Sequence, residues 1–107
     1  MKIVEIFRFD FSEKKDSEKK LNKLFEKYGF PNLQVDLQND YDGLWQVVNK
    51  RSRRVLFEAF HSAFVVFHKE DDEIKVSFTY EVYVDPSKCI TFCDKIKKEE
   101  EDELQTN

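Results

Sequence analysis

The stretch Ile74–Val84 constrains this chain more than any other. Ile74, Val76, Phe78, Tyr80, Val82 and Val84 fall on one parity, and Lys75, Ser77, Thr79, Glu81 and Tyr83 fall on the other. A period of two kept this long predicts a half-buried antiparallel strand. Such a strand needs neighbours, and the sequence before it supplies them. Ala63–Lys69 reads as its hairpin partner across the loop Glu70-Asp71-Asp72.

Upstream, Leu44–Phe60 admits two readings. Val55, Leu56, Ala59, Phe60, Ala63, Phe64 and Phe67 make a 3.6-residue stripe that a helix capped by Ser52 would use. The β-branched pairs Val47-Val48 and Val65-Val66 favour strands instead. We adopt the hairpin: Leu44–Asn49, a loop over Lys50–Arg53, and a return over Arg54–Phe60.

The first half of the chain is clearer. Lys2–Phe11 is rich in β-branched and aromatic residues and predicts a strand. Apolar residues sit on both parities early on, which predicts a strand that is central or covered on both faces there. Leu21, Leu24, Phe25 and Tyr28 recur at helical spacing, so Ser12–Tyr28 is read as a helix. Ser12, Asp16 or Ser17 would cap its start, Gly29 its end, and Pro31 bars continuation. Leu33–Gln38 alternates as a short strand, and Asn39–Gly43 is the strongest turn signal. Near the C-terminus, Asp85-Pro86 suits a helix opening. Cys89, Ile90, Cys93 and Ile96 would form its apolar stripe, and the acidic run Glu99–Glu103 would fray its end.

The expected fold is therefore one α+β domain over residues 1–98 in the order β-α-β-β-β-β-β-α. An antiparallel sheet of five to six strands would carry two helices on one face. Residues 99–107 would form an acidic tail. At 107 residues the chain has room for one core. Only two Gly and two Pro punctuate it, while 11 Phe supply bulky core side chains.

Chemistry-bearing residues are sparse. No apolar run approaches the roughly 18 residues that span a membrane, and no export signal is apparent. Cys89 and Cys93 are then expected as reduced thiols in a cytoplasmic protein. With His61 and His68 they would supply the residue types of a Cys2His2 zinc site. A seven-residue spacing puts the two His on opposite faces of one strand, so core thiols are the simpler reading. A Cys–His dyad can be written from the same residues, but no nucleophile elbow, phosphate loop or zinc-binding helix motif accompanies it. No cofactor is called for.

Charge gives more direction. Lys50, Arg51, Arg53 and Arg54 form the densest basic cluster, and Tyr41, Trp45 or Tyr83 could stack a base beside it. The formal net charge of −4 argues against a general nucleic-acid binder. The acidic runs Glu70–Glu73 and Glu99–Glu103 suit a basic protein partner, whose approach they would accelerate. Lys outnumbers Arg 14 to 4, a bias consistent with an AT-rich bacterial or mobile-element source. The expectation is a small cytoplasmic protein-binding module, in its sharpest form an inhibitor or immunity-type protein blocking a basic site on a toxin or nuclease. Asp71, Asp72, Glu73 and an aromatic such as Trp45 or Tyr83 would make the contacts. RNA or DNA binding through Lys50–Arg54 is the alternative, and a Cys/His enzyme or metal protein the second. A homodimer paired along Ile74–Val84 is a further expectation.

Overall fold

The computed structural model describes residues 2–39 and 41–80 together with the short strand Ile90–Thr91. Its elements are β1 (Lys2–Asp10), α1 (Lys14–Lys27), β2 (Leu33–Asp36), β3 (Leu44–Asn49), β4 (Val55–Phe60), β5 (Ser62–Glu70), β6 (Glu73–Thr79) and β7 (Ile90–Thr91). The order β-α-β-β-β-β-β matches expectation as far as β6, and the hairpin reading of Leu44–Phe60 holds. Phe57, Ala59, Ala63, Val65 and Phe67 are all buried and share one parity, whereas Phe60 of the competing helical stripe is exposed. Period two, not 3.6, organises this segment.

The expected single sheet is instead two antiparallel sheets. One has the order β1-β5-β6, with the two-residue β7 beside β6; the other has the order β2-β3-β4. The division has a local cause at His61. This residue adopts a left-handed conformation with φ of 65° between β4 and β5. The turn swings one long ribbon, Val55–Glu70, out of the second sheet and into the first. His61 also ties the sheets together: its N–H donates to the Gly43 carbonyl at 2.9 Å, and its carbonyl accepts from Phe11 N–H at 3.1 Å.

A row of rings stitches the two sheets into one core. Phe9 stacks on Trp45 at 3.9 Å, Trp45 meets Phe57 edge-on at 5.8 Å, and Phe57 stacks on Phe78 at 4.8 Å. Phe9 and Phe78 belong to the first sheet, Trp45 and Phe57 to the second. Ring pairs of this kind contribute about 0.5–1.5 kcal/mol each beyond the area they bury. Helix α1 closes the core by burying Leu21 and Phe25.

The helix ends follow from their residues. Asp10 accepts from Ser12 N–H at 3.0 Å and starts a 3-10 turn over Phe11–Glu13, so the cap lies two residues before Ser12, the first expected cap. Hydrogen bonds from Ser12 hold the Asp10 carboxyl below its ordinary value. At the other end, Phe30 N–H donates to Phe25 O and Gly29 N–H to Glu26 O. This is a Schellman closure, and Gly29 provides the positive φ it requires.

Two further expectations are corrected. Strand β1 is an edge strand, neither central nor covered on both faces, since Ile3, Val4 and Ile6 are exposed. Its register slips between Ile3 and Glu5, so Val4 is an extra residue, while Phe9 further along is buried. Of the expected C-terminal helix, Ile90 and Thr91 form a strand instead. Both are β-branched, and they pair with Phe78 and Ser77 along the open side of β6. The rest of that helix, the tail 99–107 and strand positions 81–84 lie outside the described residues. No helix among the described residues is long and apolar enough to cross a membrane.

Candidate protein interface

The acidic tip is built by the β5–β6 hairpin. Glu70 pairs with Glu73, which leaves Asp71 and Asp72 as a two-residue turn. Both have positive φ, 52° and 65°, the backbone of a type I′ turn. Gly and Asn take this conformation most readily; here two carboxylates take it. Glu70 is met by the Lys75 ammonium at 3.9 Å. Asp71, Asp72 and Glu73 are exposed and have no ion-pair partner among the described residues.

The basic cluster is built by the β3–β4 turn. The Asn49 side-chain oxygen accepts from Arg51 N–H at 2.9 Å and Ser52 N–H at 3.1 Å, and Arg53 N–H donates to the Asn49 carbonyl at 2.8 Å. Lys50, Arg51, Arg53 and Arg54 are thereby held exposed. The two charged turns flank the ribbon Val55–Glu70 in the chain, one before its first strand and one after its last. A hollow of about 170 Å³ near Arg53 is lined by Glu18, Gln34, Asp36 and Gln38. That is below the roughly 300–1,000 Å³ of ordinary small-molecule sites.

Trp45, read from the sequence as a contact residue, has no exposed surface. Its indole lies between Phe9 and Phe57, with no face left for a partner. Tyr83, Cys89 and Cys93 lie outside the described residues. The two histidines are kept apart. His61 is exposed at the corner, whereas His68 is buried in β5, where its Nε2 is 2.7 Å from Ser77 Oγ. Burial pushes the His68 imidazole below its ordinary pKa. Serine and histidine at this distance resemble a nucleophile and its base, but both side chains are closed off from solvent.

Among the described residues, three aromatics are more than half exposed. Tyr41, Phe60 and Tyr80 are 69%, 55% and 61% exposed. Phe60 stands opposite Leu44, whose N–H donates to the Tyr41 carbonyl. The Tyr80 hydroxyl donates to the Glu58 carbonyl, and its ring lies 5.4 Å from Phe57. Burial and the Glu58 carboxylate push that hydroxyl's pKa up, so it remains a donor at neutral pH. Phe60 could have been found from sequence, because it breaks parity with the core residues Phe57 and Ala59. Tyr80 could not, since it continues the core parity of Val76 and Phe78. Comparison with protein-family models, with curated proteins and with solved structures finds no match.

Proposed function

We propose that this chain is a non-enzymatic protein-binding module of the inhibitor or immunity kind, which occupies a basic site on its partner. The observation that carries this reading is the exposure of Tyr41, Phe60 and Tyr80, each more than half exposed, with Tyr80 bonded to the Glu58 carbonyl on the strand that carries Phe60, on a fold that otherwise packs rings into a continuous core stack. Exposed aromatics are the usual anchors of protein interfaces. The acidic tip Asp71-Asp72-Glu73 supplies a field that attracts a basic partner before contact, in keeping with the net charge of −4. The cytoplasm is the proposed place of action.

The test begins with tagged capture from the native lysate, with and without nuclease. A single stoichiometric protein that survives nuclease treatment is expected. Stopped-flow binding to that protein then separates the two surfaces. Phe60→Ala with Tyr80→Ala should speed dissociation. Reversing Asp71, Asp72 and Glu73 to Lys should slow association about tenfold and flatten its dependence on salt. Capture that collapses with nuclease would overturn the reading in favour of nucleic acid at Lys50–Arg54. Unchanged rates in both variants would overturn the surfaces named here.

A further inference from the structure

The long strand β1 has an open side, and its pattern is self-complementary. Among the described residues no strand pairs with β1 opposite β5. The hydrogen bonds at its end show which backbone groups face outward. Phe11 N–H donates inward to His61 O. Asp10 faces the other way: its N–H donates to Ser17 Oγ at 3.2 Å, and its carbonyl accepts from that hydroxyl at 3.2 Å. Backbone groups alternate along an antiparallel ladder. Phe7 and Phe9 therefore bond β5, while Ile6 and Arg8 point their N–H and C=O outward.

This open window is closed at both ends. Ser17 occupies the outward groups of Asp10, and the bulge at Val4 breaks the ladder on the other side. What remains is Glu5–Phe9, with Phe7 at its midpoint. Side chains beside the window are unusually apolar for an edge: Ile3, Val4 and Ile6 are 41%, 40% and 46% exposed. An edge strand left in this state is a template for another strand. The edge expected from the sequence to serve this role, along Ile74–Val84, already carries β7 at Ser77 and Phe78.

We infer that β1 pairs with β1 of a second copy, antiparallel, about a two-fold axis through Phe7. In this register Ile6 of each copy lies opposite Arg8 of the other, and these two pairs use every open backbone group in the window. Phe7 faces its own copy in a close, non-hydrogen-bonded pair. No like charges meet directly. Arg8 leans toward Asp10 of its own copy at 3.2 Å, and its stem can cover Ile6 of the other copy. A register centred one residue later would place Arg8 against Arg8 and is disfavoured by that repulsion. A self-complementary patch of this kind is what a two-fold dimer requires. The inference stands independently of the partner proposed above.

Sedimentation velocity over low micromolar to high micromolar protein tests it. The wild-type mass should rise from 12.9 kDa toward twice that value. Ile6→Lys sets Lys against Arg8 of the other copy at both ends and should leave the chain monomeric. Ile6→Lys combined with Arg8→Glu sets opposite charges across both pairs and should restore the dimer, the more so at low salt. Circular dichroism melting confirms that each variant is folded; Ile6 and Arg8 are both exposed, so neither change removes core. A wild type that stays at 12.9 kDa, an Ile6→Lys chain that still dimerises, or a folded double variant that stays monomeric would each overturn the pairing.

Discussion

Replacing Asp71-Asp72 by Asn-Gly should stabilise the fold while weakening the acidic tip. Asp72 has φ of 65° and Asp71 of 52°. A left-handed conformation costs an ordinary L-residue about 1–2 kcal/mol, and Asp somewhat less. Glycine removes this cost at position 72 but gives back roughly 0.5–1 kcal/mol through the greater freedom of its unfolded chain. Asn-Gly is the favoured pair for a type I′ turn. A second contribution is electrostatic. Glu70 and Glu73 oppose each other across the hairpin, a like-charge arrangement that destabilises by a few tenths of a kcal/mol to about 1 kcal/mol. Removing the two carboxylates between them relieves part of that repulsion. The sum is about 1 kcal/mol, which for a chain of this length raises Tm by about 4–8 °C. Scanning calorimetry at pH 7 in low and high salt reads it directly. The backbone part should survive salt, and the electrostatic part should shrink. A Tm that is unchanged or lower in both salts would refute the argument that this turn holds strain.

Three further outcomes are expected. Trp45→Ala should cost about 3–5 kcal/mol, read by urea unfolding, because it empties the centre of the ring stack; the only Trp of the chain should emit as a buried indole until unfolding shifts its fluorescence to the red. Stability should fall as pH drops below about 6.5, the ordinary His value, because the unfolded chain then binds a proton that His68, its pKa pushed down by burial, still refuses; the loss stops once pH passes the folded value, and His68→Gln should remove this slope from urea titrations. Gly43→Ala should cost about 1–2 kcal/mol in thermal melts, since Gly43 has φ of +89° and an added Cβ would lie 3.0 Å from the His61 ring; a second change, His61→Ala, should recover the contact part alone.

Much of the fold was legible because period two is a local signal. Phe57, Ala59, Ala63, Val65 and Phe67 enter the core on one parity whichever sheet they belong to, so both strands could be read without knowing where one sheet ends. The division at His61 was hidden, since it rests on a backbone turn at a residue that carries no Gly or Pro signal. The position of β1 was misread for a related reason. Ile6 and Phe9 put apolar residues on both parities, which is also the mark of a strand buried on two faces, but Ile6 is exposed. The candidate surface was legible where it is charge, as in Asp71-Asp72-Glu73, because runs of acids stay at the surface wherever they fall. It was not legible where it is aromatic. Trp45 and Phe60 differ in exposure because of which sheet face each residue meets, and no property of the side chains alone assigns that face.

The pairing of β1 with β5 also sets a schedule for the chain during synthesis. Lys2 finds its strand partner at Lys69, near the far end of the described fold. At roughly 5–20 residues per second, β1 leaves the ribosome several seconds before that partner exists. Throughout that interval Lys-Ile-Val-Glu-Ile-Phe-Arg-Phe is an unpaired, β-prone apolar segment. The helix and the β2–β3–β4 sheet can form behind it from local contacts, but they offer it no ladder. Strand β1 is therefore secured later than the strands of the second sheet, and until β5 emerges this segment stays exposed to misassociation.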